Sequence, residues 1–504
     1  MTKAAAAQAS AGQAPGRVVM FVRNDAARDV RVRREATSLA EAGYAVTIVA
    51  LQPVRGSLPL RERSAGVEIV RVPAPTGWHP RWQDVRYRPW RARAWLPEAI
   101  AAEARSGGVR GWLTAGAGII GALILAPYAV VRLLEYLGGG RRRPQVEERG
   151  DVWDWLARWC WSILGWARAA AAAAPRATVY HGHDLNALPA AVEAQRRHGG
   201  TVVYDSHELF LEAGSTARRP AWARRILAVF EGRWARRASA VVTVNASIAQ
   251  ALARRYRAGP AVLVRNCPPR WDPPSGGGVG PLRTAIGVGP EARIVLYHGG
   301  FLPDRGLDLL AQAVQRPELA AVHLVYLGFG PGQADLEALA AAPSAGGRIH
   351  VLPAVAPEVL LAWVHDADVA AMPNQPVTLN ERYSTPNKLF ESLAAGIPVV
   401  SSDTPERRAV VIDDRDGPLG AVCDPTDPSA IAAAIRSLLD LSPDARAALR
   451  ARCLAAAHAR YNWEQESAAL VGLYTRLAPL PPASPSHVEA GAHIEPEGGG
   501  QGGA

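Results

Sequence analysis

The chain has 504 residues, more than one hydrophobic core usually holds, and its length predicts two domains. With 49% hydrophobic and 20% charged residues, its composition is that of a globular protein. The four cysteines are widely spaced, which excludes a disulfide scaffold and indicates a reducing compartment. Residues 1–16 lack the apolar stretch of a secretory signal, and together with residues 480–504 they are expected to be disordered tails. We therefore expect a protein of the cytoplasm.

In chain order, the first half begins with alternating apolar strands and amphipathic helices, a pattern typical of a parallel sheet with crossover helices. The pattern breaks for about a hundred residues and then resumes. The predicted strands are 17–22, 45–51, 67–72, 177–184, 201–208, 240–244 and 261–266. We interpret residues 17–266 as one Rossmann-like domain that contains an insert at 75–176.

The second half repeats this alternation after a linker rich in proline and glycine at residues 267–281. Its strands have the sequences RIVLYHGG, VHLVYLG, RIHVLP, VAAMP and IPVVSSD. They predict a second domain at 282–479, closed by long helices at about 428–475 that could reach back to the first domain. The fold class is therefore α/β, with two doubly wound domains that face a cleft.

The insert carries most of the positive charge of the chain, whose net charge is +10. Residues 75–176 contain fifteen arginines against eight acidic residues, and ten of the fifteen tryptophans. Nucleic acid would explain the charge but not residues 112–131, which are twenty apolar or uncharged residues in a row. As a helix they would measure about 30 Å, the thickness of a bilayer core.

A single membrane crossing at residues 112–131 is excluded, because it would separate strands of one sheet across a bilayer. The next candidate, from residue 152, contains Asp154, Arg158 and Arg168, each costing about 2.5 to 3.5 kcal/mol at a bilayer centre. It is better interpreted as an amphipathic interfacial helix. We expect residues 75–176 to associate with a membrane surface through tryptophan and arginine. The alternative is a hairpin that packs on the protein itself.

Residues 384–403 predict a short helix that faces an anion and is followed by a buried strand. Thr385 can cap this helix, and Pro386 suits its first position. The helix start attracts anions, Lys388 adds a full charge, and Glu391 can accept two hydroxyl hydrogen bonds. Of 56 basic residues only Lys3 and Lys388 are lysine. A diphosphate beside a ribose fits this layout, although a capped surface helix with a weak ion pair remains the alternative.

Seven segments resemble the GT-B glycosyltransferases of the large retaining family 4. They are DVRVRREATSLAEAGYAVTIVA, HGHDLNALP, VVYDSHELF, YHGGFLPDRGLDLL, LGFGP, PNKLFESLAAGIPVVSSD and GAVCDPTDPSAIAAAI. They cover most of residues 17–477 in the order of that family, with the insert outside the match. The resemblance implies a nucleoside-diphosphate sugar as donor, no metal cofactor, and retention of anomeric configuration.

The resemblance also implies roles for individual residues. Glu391 matches the acid that binds ribose hydroxyls, and Arg305 matches the cation that binds the donor diphosphate. His183 is similar to the histidine on the donor side, although a histidine held by its own turn is the alternative. Two positions depart from the family pattern: Gly300 replaces a second phosphate-binding arginine, and Tyr383 replaces the first acid of a pair.

Three sets of site residues follow from these matches and from the strand ends. The predicted catalytic residues are Arg305, Lys388 and His183. The predicted donor-binding residues are Gly299, Gly300, Arg305, Gly328, Gly330, Thr385, Asn387, Lys388, Leu389 and Glu391. The predicted acceptor-side residues are Asp29, Arg31, His207 and Glu208.

The expected function is transfer of a sugar from a nucleoside diphosphate to a membrane-borne acceptor, either lipid-linked or a cell-envelope glycan. The expected location is the cytoplasmic face of the membrane, with a peripheral or monotopic attachment and no nucleic-acid partner. Two alternatives stay open. One is a nucleotide-sugar epimerase or hydrolase of the same fold, and the other is a membrane-docking scaffold that has lost its activity.

Overall fold

The computed structural model describes residues 16–27, 29–53, 58–73, 150–274 and 279–480. These residues form two α/β domains, each with a sheet between helices. The strands form where apolar and β-branched residues run together, as in Arg17–Val22, whose residues after the first are all buried. The predicted doubly wound fold is confirmed.

The first domain contains an eight-stranded sheet within the described ranges, in the order β3-β4-β2-β1-β5-β6-β7-β8. All neighbouring pairs are parallel except β3 and β4, which are antiparallel. The edge strand β3 was missed from the sequence, because its residues RERS are polar. The strands are β1 (Arg17–Val22), β2 (Ala45–Gln52), β3 (Arg61–Ser64), β4 (Val67–Pro73), β5 (Val179–His183), β6 (Thr201–Ser206), β7 (Ala240–Thr243) and β8 (Ala261–Leu263).

Six helices of the first domain lie within the described residues. Two of them begin with side-chain caps: Asp29 accepts from the N–H of Val32, and Asn245 accepts from the N–H of Ile248. The helices are α1 (Val30–Glu41), α2 (Gly150–Ala173), α3 (Asp184–His198), α4 (Gly214–Ala217), α5 (Ala221–Ala235) and α6 (Ala246–Tyr256).

Helix α2 corrects one prediction, since it comprises the residues interpreted as an interfacial helix. Its Trp166 is fully buried and donates to the carbonyl of Val72 at 3.3 Å, and Ile163 and Ala170 are buried with it. Trp161 on the same helix is 50% exposed. Helix α2 is therefore part of the domain and packs on α3 and β4. The rest of the predicted insert, with residues 112–131, lies outside the described residues, as do both predicted tails except for their innermost residues.

The second domain has a six-stranded sheet within the described ranges, parallel throughout, in the order β11-β10-β9-β12-β13-β14. The direction in which the chain adds strands to the sheet reverses between β9 and β12. Open sheets bind ligands at such switch points. The strands are β9 (Arg293–Gly300), β10 (Val322–Phe329), β11 (Ile349–Pro353), β12 (Val369–Met372), β13 (Val399–Ser402) and β14 (Gly420–Cys423).

Helices α7 to α15 surround this sheet, and its core is continuous from Leu282 to Tyr461. Three of them position the cleft: α11 and α12 precede β13, and α13 follows it. The helices are α7 (Pro281–Ile286), α8 (Leu307–Val314), α9 (Gln333–Ala341), α10 (Pro357–His365), α11 (Leu379–Tyr383), α12 (Asn387–Ala394), α13 (Pro405–Val411), α14 (Pro428–Leu439) and α15 (Pro443–Ala459).

The last helix, α16 (Trp463–Leu477), returns to the first domain. Leu470, Leu473 and Tyr474 are buried against β1 and α1, and the indole of Trp463 donates to Ser38 at 3.0 Å. The second domain was predicted to extend to residue 479 with closing helices that could reach back to the first domain, and α16 does so, since its apolar face completes the core of the first domain. Among the described residues, no helix is both long enough and apolar enough to span a membrane.

Candidate active site

A cleft of about 720 Å³ opens between the two domains. Its wall combines the carboxyl ends of strands from both sheets with the loop that precedes α12, which is the place where ligands bind in such folds. The first domain contributes Asn24, Asp25, Asp29, Val30, Arg31, His207, Glu208, Val244, Ile248 and Asn266. The second domain contributes Gly300, Leu302, Arg305, Asn374, Asn380, Glu381, Ser384, Thr385, Pro386, Asn387 and Lys388.

Helix α12 begins one residue later than the sequence predicts. Pro386 is the N-cap residue with an extended backbone (φ −69°, ψ 147°), and no side chain caps the helix. The hydroxyl of Thr385 lies instead 3.4 Å from Nδ2 of Asn245 in the other domain. The predicted Thr385 cap is wrong, because the extended backbone of Pro386 moves the first turn away from it. Thr385, Asn387 and Lys388 nonetheless line the cleft, as predicted.

Lys388 lies over the ring of Tyr297, with Nζ 3.5 Å from the ring centroid. Burial, assisted by the nearby charge of Arg305, lowers the pKa of Lys388 well below its usual value. An anionic ligand in the cleft would raise this pKa again, because a nearby negative charge favours the ammonium form. The side chain is therefore positioned to gain stability from an anionic ligand.

Arg305 follows β9, and its side chain is already engaged within the protein. Its Nη1 atom lies 3.0 Å from Oε2 of Glu381, and both side chains are partly buried. The sequence placed Arg305 at the donor phosphates but gave Glu381 no role. The structure brings Arg305, Lys388 and Glu381 to one wall of the cleft.

A third cation, Arg407 of α13, lies directly behind this wall and is fully buried. Its guanidinium donates to the carbonyl oxygens of Ser384, Asn374 and Glu381 and to the hydroxyl of Ser384. Burial lowers its pKa to about 10. Arg407 thus anchors the loop that leads into α12. It was missed from the sequence, although an arginine soon after the carboxyl end of β13 was a usable signal.

A second cavity of about 420 Å³ lies next to the cleft, on the other side of Lys388. Glu391 contributes a carboxylate there, and its Oε2 atom lies 3.0 Å from Nε2 of His298. Apart from Asn387 and Lys388 the remaining wall is glycine and apolar side chains, so the cavity offers an apolar surface beside one carboxylate. Its lining consists of His298, Gly299, Gly300, Leu327, Gly328, Phe329, Ala354, Val355, Leu360, Asn387, Lys388 and Glu391.

The ends of β9 and β10 leave no room for side chains at Gly299 and Gly328. Gly299 has a φ of +112°, and a Cβ atom there would lie 3.3 Å from Nζ of Lys388. A Cβ atom on Gly328 would overlap the carbonyl of Gly299. The two glycines therefore allow the strand ends to approach each other and leave room for Lys388.

Two predicted donor-binding residues lie elsewhere. The side chain of Leu389 is fully buried in the core of the second domain, and its N–H donates to the carbonyl of Pro386 at 2.9 Å. Gly330 has a φ of +155° and packs against the backbone of Phe301. Neither residue lines the cleft or the second cavity. Helix α12 turns the side chain of Leu389 inward and the loop at Gly330 closes on β9, so a donor contact by either residue stays a prediction. Tyr383, at the replaced acid, packs partly against the core of the first domain.

The first-domain wall of the cleft contains all four predicted acceptor-side residues. Asp29 caps α1 and accepts from Nδ2 of Asn24 at 2.7 Å. Glu208 lies 3.4 Å from Nδ2 of Asn380, and burial raises its pKa to about 7. Arg31 reaches the wall, but only 5% of its surface is exposed. The carboxyl and amide groups of this wall suit hydroxyl ligands.

Arg31 is held by a buried cluster behind the wall. Its Nη2 atom lies 3.0 Å from Oδ1 of Asp205, its Nε atom lies 3.0 Å from Glu35, and Nη1 donates to the carbonyl of Val264. Burial opposes ionisation of Asp205, but Arg31 and His207 outweigh it and hold the pKa of this carboxyl well below its usual range. Burial and the charge of Asp205 raise the pKa of Glu35 to about 8.

His183 belongs to this cluster and not to the cleft wall. Its Nδ1 atom lies 3.1 Å from Oδ2 of Asp205 and 3.3 Å from Nε2 of His207, and only 2% of the residue is exposed. Burial lowers its pKa to about 3. His183, a predicted catalytic residue, does not line the cleft, because the ring of His207 covers it. His207 lines the cleft, as predicted.

Four residues of the cluster, Glu35, His181, His183 and Asp205, have potential ligand atoms within 4.8 Å of one another. Carboxylate and imidazole groups in such an arrangement suit a divalent metal. Here the guanidinium of Arg31 already contacts both carboxylates, and a second cation beside it would be repelled. We interpret the cluster as a charge network that fixes the first-domain wall.

Two family models match this chain. One, described as "Glycosyl transferases group 1", covers residues 292–441, and the other, "Glycosyl transferase 4-like domain", covers residues 122–267. Together they account for both domains. The matched ranges contain every second-domain residue named above at the cleft.

Solved structures show the same architecture. Sucrose-phosphate synthase from Thermosynechococcus elongatus has a TM-score of 0.60 at 18% identity, over 92% of this chain and 98% of that one. Anabaena Alr3699/HepE in complex with UDP-glucose has a TM-score of 0.54 at 12% identity, over 91% of this chain and 99% of that one. At such identities the likeness establishes the fold.

Curated relatives are D-inositol 3-phosphate glycosyltransferases. That of Xylanimonas cellulosilytica is 33% identical over 207 residues, which is 40% of this chain and 46% of the relative. That of Geodermatophilus obscurus is 31% identical over 225 residues, which is 42% of this chain and 47% of the relative. The matched part of the chain spans about half the length of these relatives.

Two doubly wound domains, with a cleft at the carboxyl ends of their strands, define the GT-B class of folds. The matches at both domains then place the chain within that class. It belongs to the group 1 glycosyltransferases, the family 4 type that its sequence motifs resemble.

Proposed function

We propose that the protein transfers a sugar from a nucleoside diphosphate to a hydroxyl group of an acceptor held by the first domain. One observation carries this proposal. Arg305 and Lys388 line the cleft, while Glu391 lies in the adjoining cavity with its apolar wall. A diphosphate at the cations and a nucleoside in the second cavity would place the sugar in the cleft. The structural neighbour in complex with UDP-glucose supports a nucleotide-sugar donor.

Catalysis at this site would be mainly electrostatic. Bond cleavage leaves negative charge on the departing diphosphate, and Arg305, Lys388 and the N-terminus of α12 are the groups positioned to stabilise it. We propose that these groups serve in place of a resident metal ion. Closure of the two domains would exclude water and so limit hydrolysis of the donor. Retention of anomeric configuration is proposed from the family resemblance alone.

The acceptor is proposed to be membrane-borne, which would place the protein at the cytoplasmic face of a membrane. The support is the sequence of residues 75–149, which is rich in arginine and tryptophan and contains the uncharged run at 112–131. A sugar phosphate is the second candidate, because the curated relatives carry inositol 3-phosphate in their names. The hydroxyl-binding groups on the described first-domain wall are compatible with the sugar part of either acceptor.

Calorimetric titration with a panel of nucleoside diphosphates tests the donor site. Glu391→Ala and Arg305→Ala are expected to weaken binding without unfolding the protein, the latter by about 1.5 to 3 kcal/mol. Glu337→Gln, at an exposed position on α9, is a suitable control. Wild-type affinity in both site variants would refute the assignment. A requirement for an added acceptor would distinguish transfer from epimerisation or donor hydrolysis.

Flotation with anionic liposomes tests the membrane proposal. The full-length protein is expected to float at low salt and to remain bound at high salt, because both charge and apolar residues contribute. Deletion of residues 107–140 should release it while donor binding persists. If the full-length protein stays at the bottom under both conditions, the membrane-borne acceptor is refuted and the sugar-phosphate candidate is favoured.

A further inference from the structure

We propose that Glu381 is an internal counter-anion of Arg305, which the donor diphosphate displaces on binding and which recaptures Arg305 when the nucleoside diphosphate leaves. This inference rests on the proposed donor site and assigns an additional residue to it. Glu381 would thereby set the affinity of the site for the product. The role differs from that of a sugar contact, because its partner is the protein's own cation.

The ion pair lies at the proposed phosphate position. Arg305 Nη1 and Glu381 Oε2 lie 3.0 Å apart, with side-chain exposures of 24% and 19%. Both side chains line the cleft together with Lys388. A guanidinium binds carboxylate and phosphate with the same N–H groups, so the two anions compete for it.

Glu381 is held at this position by its own backbone. Its N–H donates to the hydroxyl of Thr378 at 3.1 Å, and its carbonyl accepts from Nη2 of Arg407 at 3.2 Å. The carboxylate is therefore presented by a fixed turn, α11, whose ends are both anchored. After displacement it would remain near Arg305 and be available to return.

The charges at this wall favour replacement of Glu381 by a diphosphate as the partner of Arg305. Arg305, Lys388 and Arg407 contribute three cationic groups around this wall, although burial lowers the pKa of Lys388 and of Arg407. Among the described residues, Lys388 has no ion pair and Arg407 contacts only backbone carbonyls and a hydroxyl. Glu381 is thus the carboxylate paired to a cation at this wall. A diphosphate carries more charge than one carboxylate, so it can displace Glu381 and also interact with Lys388.

The same α11 segment contacts the first domain on both sides of Glu381. Oδ1 of Asn380 accepts from the N–H of Leu209 at 2.9 Å, and the carbonyl of Tyr383 accepts from Nδ2 of Asn245 at 2.7 Å. Release of Glu381 from Arg305 therefore occurs next to contacts that join the domains. Recapture at this position would help the product leave while the segment keeps its place.

Calorimetry on Glu381→Gln tests the proposal, because the amide keeps the shape of the side chain and removes its charge. The affinity for UDP, ADP or GDP, whichever the wild type binds, should rise about tenfold, the size of one partly buried ion pair. The affinity for the matching nucleoside monophosphate should rise less, since it lacks the second phosphate. Turnover should fall and product inhibition by the nucleoside diphosphate should become stronger. Glu337→Gln should change none of these quantities.

A double-mutant cycle excludes a merely structural effect. In the Arg305→Gln background, Glu381→Gln should leave the affinity unchanged, because the competing pair is already absent. Unchanged or weaker diphosphate affinity in Glu381→Gln, with wild-type binding intact, would overturn this inference and leave the donor site standing. If the wild type binds no nucleoside diphosphate, both proposals fail. Should Glu381→Gln not fold, Glu381→Asp is expected to raise the affinity by a smaller factor, and no increase would overturn the inference.

Discussion

The Nζ atom of Lys388 lies 3.5 Å from the ring centroid of Tyr297, and the hydroxyl of the same ring donates to the carbonyl of Gly300 at 2.8 Å. This cation–π contact holds the lysine without a carboxylate. Burial first, and the charge of Arg305 second, lower the pKa of Lys388 well below its usual value. The protein thus keeps its only lysine within the described residues in an environment that disfavours the charged form.

Binding of a nucleoside diphosphate is therefore expected to take up a proton. The ligand's negative charge raises the pKa of Lys388 back toward its usual value, so the protonated fraction of this lysine increases on binding. The measurement is calorimetry in buffers of different ionisation enthalpy, at a pH between the free and bound pKa values. Lys388→Met should abolish the uptake assigned to this residue. An observed enthalpy that is independent of the buffer would contradict the prediction.

Lys388→Arg should lower turnover at least tenfold although it keeps the positive charge. The broad guanidinium does not fit where a compact ammonium lies between the Tyr297 ring and Gly299. Steady-state kinetics with a saturating donor would measure the effect. Arg316→Lys, an exchange of the same two residue types at a position away from the cleft, is the control. Equal rates for Lys388→Arg and wild type would mean that turnover does not depend on the compact shape of the lysine ammonium.

Arg407→Met should destabilise the loop before α12 and weaken nucleoside-diphosphate binding about tenfold. The guanidinium holds the carbonyl oxygens of Ser384 and Glu381, and these groups would lose buried hydrogen bonds worth about 1 to 3 kcal/mol in total. Thermal unfolding and calorimetry on the same samples measure both effects. Arg408→Met, the neighbouring and more exposed arginine, should change neither.

The sequence predicted the two sheets because their strands are apolar runs bounded by glycine and proline, and this local signal survives in the structure. It also placed Lys388 and Glu391 at the cavities, because the start of α12 has the features of an anion site, and Arg305 through the family resemblance. It did not predict the pairing of Arg305 with Glu381 or the burial of His183 beneath His207. These depend on distances between segments far apart in the chain, about which spacing gives no information. Strand β3 was missed for a different reason, because its residues RERS carry no apolar signal, whereas the return of the last helix to the first domain was anticipated.

Asp205→Ala should destabilise the first domain by about 3 to 5 kcal/mol. The substitution removes one of the two carboxylates that contact the buried guanidinium of Arg31, and it removes the acceptor of His183 and His207 in the same cluster. Urea denaturation followed by circular dichroism would measure the loss. Asp272→Ala, at an exposed carboxylate near His458, is expected to cost less than about 0.5 kcal/mol. If Asp205→Ala also costs less than about 0.5 kcal/mol, Arg31 has found another partner.

The stabilising effect of His207 should depend on pH. It should be lost at high pH, because two neighbouring carboxylates raise the pKa of the imidazole. Nδ1 lies 3.3 Å from Oδ2 of Asp184, and Nε2 lies 3.0 Å from Oδ2 of Asp205. Burial opposes the charge, but Asp184 and Asp205 outweigh it and raise the pKa of His207 from 6.5 to about 9. A folded-state pKa above the unfolded one stabilises the protein fully below pH 6.5 and loses this effect as the pH rises through 9.

His207→Gln should therefore lower the free energy of unfolding by about 2 kcal/mol near pH 6 and by much less above pH 9. Urea denaturation of both proteins at several pH values gives the difference, in which titrations common to the two proteins largely cancel. His458→Gln, a histidine outside the buried cluster, is the control and should lack this pH dependence. A His207→Gln difference that stays constant from pH 6 to pH 9.5 would mean that Asp184 and Asp205 do not hold the imidazolium form.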